Sequence, residues 1–149
     1  MEVRDLIGPR HITAALRVND KAQLLHELSQ LAAKFLEIDP DIILRALALR
    51  EALGSTGVGQ GIAFPHARLP GLQSFFGWFA RLEHPIAFDA IDERPVDLVF
   101  LLLTPEHAIN EHLSALASAS RRMRQSEVTS LLRTAKTDLE LYRILTDGA

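Results

Sequence analysis

An α/β sandwich, one domain with helices on both faces of a sheet, is the fold class this sequence predicts. Three observations carry it. The run "VDLVFLLL", residues 96–103, is almost continuously apolar, as a strand covered on both faces must be. Two helix-start signals, Asn19-Asp20 and Asp39-Pro40, each precede apolar residues at helical spacing. The 149 residues, 48% apolar and 23% charged, suffice for a single core, and no repeat, low-complexity segment or linker divides them.

Taken in order, residues 1–10 are polar, close on Gly8-Pro9 and predict a flexible leader ahead of a domain over 11–149. Residues 12–18 predict a short strand. Asn19-Asp20 then caps a helix over 21–36, in which Leu24, Leu25, Leu28, Leu31, Ala32 and Phe35 share one face. Asp39-Pro40 joins a capping side chain to a proline in the first turn. The second helix therefore runs to about Leu53, with Ile42, Ile43, Ala46, Leu47 and Leu49 inward, and Gly54 stops it. Strands follow at 62–64, 75–82 and 96–103, and a polar connection, 83–94, joins the last two. Thr104-Pro105 repeats the cap-then-proline signal and opens a helix to about Arg121. Helices over 126–135 and 138–145 complete the pattern, with Thr137 and Glu140 at capping-box spacing.

Composition narrows the function. A net charge of −3 offers no basic face for nucleic acid. Cysteine is absent, which removes disulfides and thiolate metal sites and suits a cytoplasmic protein. The opening residues Met1-Glu2-Val3-Arg4-Asp5 are too charged for a secretory signal. Apolar runs reach about six residues against the roughly 20 that cross a bilayer, so no membrane insertion is expected. Glu106, His107, Glu111 and His112 are dense in ligating atoms but lack H-E-x-x-H spacing, and no G-x-S-x-G elbow is present. Neither a metal nor a cofactor is expected.

The chemistry concentrates in "GSTGVGQGIAFPHARLPGL", residues 54–72, where four of the eight glycines fall within 54–61. Closely spaced glycines let several N–H groups converge on an anion, and Gly57, Gly59 and Gly61 with Ser55 and Thr56 are the candidate donors. The spacing G-x-x-G-x-G-x-G, after a helix and before a strand, is not a dinucleotide fingerprint. It is not a Walker A loop either, because Gln60 and Gly61 stand where Lys and Ser/Thr belong. Taken alone the loop is equally a plain connector. Pro65, however, fixes its own φ and restricts Phe64, so His66 is presented from a stiff backbone. A partly neutral imidazole beside an anion nest is what a phosphoryl-accepting nucleophile needs. His112 falls on a helical stripe with Ile109, Leu113, Leu116 and Ala117, and from spacing alone reads as a satisfied core residue. Arg50 is either a favourable charge at a helix C-terminus or a guanidinium for an oxyanion.

These residues resemble a known family. The segments "REALGSTGVGQGIAFPHARLPGL", "EHPIAFDAIDERPVDLVFLLLTPE" and "EHLSALA" are similar to the fructose/mannitol class of enzyme IIA domains of the phosphoenolpyruvate-dependent phosphotransferase system. The likeness spans roughly 12–147 and is strongest to the nitrogen-regulatory branch. It implies a mixed central sheet, a phosphoryl group accepted on His66 from an HPr-type phosphocarrier, and a phosphohistidine carrier without turnover of its own. It also implies that His112 hydrogen-bonds the phosphoryl group, that Arg50 lies at the active site, and that Arg68 serves docking. By the same resemblance the output is regulatory, through target proteins such as transporters or sensor kinases, in step with nitrogen supply. The alternatives are transfer to a sugar-specific IIB and a non-covalent anion-binding module. Gln60 in place of the usual Asn, and Ala67 in place of the usual Gly after the histidine, are the departures from the family pattern. The motif "PIAFDAID" belongs to the resemblance but has no evident chemical role.

Overall fold

Every second side chain of the longest apolar run enters a different core, and this makes it the centre of the molecule. In the computed structural model, which describes residues 1–147, that run is strand β6 (Val96–Pro105). Val99, Leu101 and Leu103 pack against helices α1 (Lys21–Leu36) and α2 (Pro40–Ala52). Leu98, Phe100 and Leu102 pack on the opposite side against α3 (Ile109–Met123), α4 (Ser126–Thr134) and α5 (Asp138–Thr146). The predicted sandwich, with helices on both faces, is the observed one.

The sheet is mixed. Its strand order is β1 (Ile12–Leu16), β5 (Phe76–Ile86), β6, β3 (Ile62–Ala63), β2 (Gly57–Gly59), and β4 (His66–Leu69) also pairs with β6. β5 runs antiparallel to β6 while β1 runs parallel to β5. β3 and β4 both run parallel to β6 and keep one register, Ile62 opposite Leu98 and His66 opposite Leu102. They are one strand interrupted at Phe64-Pro65, and the Pro65 carbonyl still accepts the Leu102 N–H at 3.0 Å.

Both early helices begin where their caps predict, with Asp20 accepting the Gln23 N–H and Asp39 the Asp41 N–H. Thr137 likewise accepts the Glu140 N–H. Other expectations need correction. Thr104-Pro105 does not open a helix: pairing of Arg68 with Thr104 and Leu69 with Pro105 carries β6 through both residues, and α3 starts at Ile109. α2 buries only Ile43 and Leu47, one turn apart, and leaves Ile42 and Leu49 exposed, since it meets α1 and β4 along a narrow stripe. β5 extends to Ile86, beyond the expected end at residue 82.

Residues 1–10 are built into the fold. Val3–Asp5 form a 3-10 turn, and Val3, Leu6 and Ile7 are buried with β6 and the C-terminal helices. The Leu6 carbonyl accepts the Gly77 N–H at 2.7 Å. Three apolar residues spaced over one turn were sufficient signal, masked by the charged ones between them. Ile7→Ala is therefore expected to lower unfolding free energy by about 2–4 kcal/mol in urea. A cost under about 0.5 kcal/mol, ordinary for a surface position, would show that the segment lies outside the cooperative core.

Candidate functional site

The interruption at Pro65 decides the state of His66. Phe64 gives its N–H to the Thr56 carbonyl at 3.0 Å, on the side of the strand away from β6. β2 begins at Gly57, opposite Ala63, so the Phe64 carbonyl on that same side faces no strand. His66, two residues on, takes it: Nδ1 lies 2.8 Å from the Phe64 oxygen. A carbonyl only accepts, so Nδ1 carries the proton and Nε2 is left with a lone pair. That lone pair accepts the Nε–H of Arg50 at 3.2 Å.

Arg50 comes from the last turn of α2, and its Nη1 donates to the Gly54 carbonyl at 2.9 Å, which orients the guanidinium toward His66. Across an open cleft of about 420 Å³ stand Arg68 of β4 and His112 of α3, with Leu49 and Leu53 at the edge. The His66 and His112 rings are 5.5 Å apart between centroids and inclined at 51°. His112 stands half-buried at the N-terminal end of the buried face of α3, which continues through Ala115, Ala119 and Met123, while Ile109 and Leu113, its expected stripe partners, are exposed. Nδ1 of His112 is 2.6 Å from the hydroxyl of Thr104.

Burial holds the His66 pKa below its ordinary value; the Phe64 carbonyl opposes this, Arg50 adds to it and Glu51 opposes it. His112 is pushed down to about 4 by burial, then by His66 and Arg68. Both imidazoles are neutral at pH 7.

The glycine run is not an anion nest beside His66. Gly59, Gln60 and Gly61, all at positive φ (100°, 58° and 80°), make the tight turn between β2 and β3. That turn is tied down by Asp92, which accepts the Gln60 N–H at 2.9 Å, and by Arg133, which donates to the Gln60 carbonyl at 2.8 Å. Gly57 is a glycine because Ala90 crosses it: an added Cβ would lie 2.9 Å from the Ala90 Cβ. Its N–H goes to the Ser55 hydroxyl at 3.0 Å, and that hydroxyl donates to the Phe88 carbonyl at 2.8 Å. Thr56 gives both its N–H and its hydroxyl to Glu51. Ser55 and Thr56 reach the wall of a smaller cleft beside His66, but their hydroxyls brace the loop.

Two features escaped the sequence. Glu51, its side chain 7% exposed, pairs with Lys21 at 2.8 Å and with Thr56, so one buried carboxylate joins α1, α2 and the loop. Its place next to Arg50 in the motif was the available signal. The segment "PIAFDAID" has a structural task, because Phe88, Ala90, Ile91 and Asp92 line the glycine loop and hold it by the contacts above and by the Ile91 N–H to the Gly57 carbonyl at 3.3 Å. The other histidines stay away from the cleft. His26, His84 and His107 are exposed, while His11 is half-buried and stacked on Trp78 with centroids 5.7 Å apart. Among the described residues no helix is long and apolar enough to cross a membrane.

Comparison with known proteins agrees with this architecture. Residues 5–148 match the family model described as phosphoenolpyruvate-dependent sugar phosphotransferase system, EIIA 2. A protein named nitrogen regulatory protein from Bradyrhizobium diazoefficiens is 44% identical over 145 residues, covering 97% of this chain and 95% of that one. Its counterpart of the same name from Escherichia coli is 44% identical over 148 residues, covering 99% and 91%. The crystal structure of nitrogen regulatory protein IIA-Ntr from Neisseria meningitidis superimposes with a TM-score of 0.92 at 35% identity, covering 97% of this chain and 99% of that one. IIA mannitol of Escherichia coli, in complex with phosphorylated IIB, shares the fold with a TM-score of 0.78 at 17% identity, covering 94% and 98%. The chain belongs to the EIIA type-2 family of the phosphoenolpyruvate-dependent phosphotransferase system, as a phosphotransferase component whose relatives include nitrogen regulatory proteins.

Proposed function

We propose that this chain is a phosphohistidine carrier that accepts a phosphoryl group on Nε2 of His66 from an HPr-type phosphocarrier and regulates target proteins through its phosphorylation state. The observation that carries this reading is the hydrogen bond from Nδ1 of His66 to the Phe64 carbonyl, which leaves Nε2 unprotonated at an open cleft. In the transfer, the Nε2 lone pair attacks phosphorus in line with the donor's P–N bond. That bond breaks with its electron pair returning to the donor imidazole, and the P–Nε2 bond forms. Nδ1 keeps its proton throughout. Arg50 releases Nε2 and turns its guanidinium to the phosphoryl oxygens, an exchange that its anchor on Gly54 allows without moving α2. His112, from the facing helix, meets the same oxygens. Positioning and charge stabilisation supply the catalysis.

The surroundings suit a protein donor. Leu53 is 85% exposed, and Leu49, Val58, Ile109 and Leu113 are also well exposed around the two histidines. Such an apolar rim with a polar centre is the composition of a docking face. Addition of about two negative charges at its centre alters what that face will bind. The names of the 44% identical relatives support nitrogen-linked regulation as the output. Transporters and sensor kinases are the classes of target proposed.

Incubation with phosphoenolpyruvate, enzyme I and an HPr-type carrier is expected to add one acid-labile phosphoryl group by intact mass. His66→Ala abolishes the gain; a gain that persists in this variant overturns the assignment, and no gain in the wild type leaves a non-covalent anion site. Arg50→Ala and His112→Ala are expected to fold normally and to transfer about ten- to a hundredfold more slowly, the effect of one hydrogen bond to a charged group. By NMR titration, His112 is expected to remain neutral until near pH 4 and His66 to titrate below the ordinary imidazole value. Because both folded values are depressed, their contribution to stability is present above about pH 6.5 and lost as pH falls toward the folded values. A His112→Gln variant with the same pH dependence of urea unfolding as the wild type between pH 7 and pH 4 would contradict this.

A further inference from the structure

Thr104 was expected to cap a helix and instead lies fully buried in β6, paired with Arg68 two residues beyond the Leu102–His66 pair. Its hydroxyl is 2.6 Å from Nδ1 of His112. Two proton assignments fit that distance. If Nδ1–H donates to the threonine oxygen, the hydroxyl proton needs another acceptor, and among the described residues no other hydrogen bond of this hydroxyl is found. A buried donor would then bear its full desolvation cost. If the hydroxyl donates to Nδ1, both groups are satisfied. We infer that Thr104 is a positioning residue: its buried hydroxyl donates to Nδ1 of His112, holds the His112 proton on Nε2, and so makes that histidine a hydrogen-bond donor to the phosphoryl group on His66.

The two histidines then carry opposite tautomers for opposite tasks. His66 is protonated on Nδ1 by the Phe64 carbonyl and presents a lone pair to phosphorus. His112 is protonated on Nε2 and presents an N–H to the phosphoryl oxygens. The second-layer partner selects the tautomer in each case, a carbonyl for the nucleophile and a hydroxyl for the donor. β6 supports both, through its pairing with β4 and through Thr104. With His112 in the other tautomer, its Nε2 lone pair would face the phosphoryl oxygens and repel them. The catalytic consequence rests on His66 being the acceptor; the tautomer of His112 does not.

The test uses the full chain labelled with ¹⁵N-histidine, as wild type, Thr104→Ser and Thr104→Val. Long-range ¹H–¹⁵N correlation at pH 7 is expected to show His112 protonated on Nε2 in the wild type and in Thr104→Ser, and a mixture of tautomers in Thr104→Val. Transfer from a phosphorylated HPr-type carrier is expected to slow about tenfold in Thr104→Val and to stay within about twofold of wild type in Thr104→Ser. Wild-type His112 protonated on Nδ1 overturns the assignment, and so does a Thr104→Val variant that transfers at the wild-type rate. If Thr104→Val does not fold, the spectra of the other two proteins decide the same question. A wild type that shows the expected His112 tautomer but takes no phosphoryl group supports the role of Thr104 in fixing the proton and removes the proposed function alone.

Discussion

The site depends on one backbone carbonyl that finds no strand to pair with. Strand β3–β4 lies along β6 in a single register, and its other side is covered by β2 only as far as Gly57. Phe64 is the first residue past that cover, and its carbonyl would be an unsatisfied edge acceptor. The His66 ring satisfies it, and in doing so acquires a defined tautomer and a fixed orientation. Pro65 between them fixes its own φ, which stiffens the backbone that joins carbonyl and ring. The break in the sheet thus sets the tautomer of His66.

Charge at the cleft is arranged to favour an incoming dianion. Two guanidiniums, Arg50 and Arg68, and two neutral imidazoles line it, and no carboxylate is among the lining residues. Burial lowers the pKa of both rings and so favours their neutral forms. The nearby carboxylate of Glu51 is occupied by Lys21 and Thr56 and serves to lock the loop to α1 and α2. On the proposed function, the hydrogen bond of Arg50 to Nε2 is exchanged for a stronger one to phosphoryl oxygen, so the group that closes the resting site would also stabilise the transferred charge.

Much of this was legible in the chain. Capping residues announced α1 and α2 to within a residue, because a local side chain to backbone hydrogen bond determines each start. The two-faced burial of β6 was written in its unbroken apolar run. The site histidines and Arg50 came from motif and resemblance, and the structure brings them into one cleft. What could not be read depends on pairing between distant segments. Thr104-Pro105 carries a helix-start signal that the ladder with β4 overrides, and Ile109 and Leu113 of α3 stand exposed beside the cleft while Ala115, Ala119 and Met123 fill the core. The glycines looked like donors for an anion, yet their positive φ serves a hairpin, and the space over Gly57 serves Ala90. Local chemistry shows that a glycine is needed and leaves open which neighbour needs it.

The central claim is that the Phe64 carbonyl holds the proton on Nδ1 and thereby makes Nε2 of His66 the phosphoryl acceptor. One measurement tests it most directly: the ³¹P–¹⁵N one-bond coupling in the phosphorylated, ¹⁵N-histidine-labelled protein. Coupling of phosphorus to Nε2 of His66, with Nδ1 still protonated, is the predicted result. Coupling to Nδ1, or to a nitrogen of any other histidine, would contradict the account.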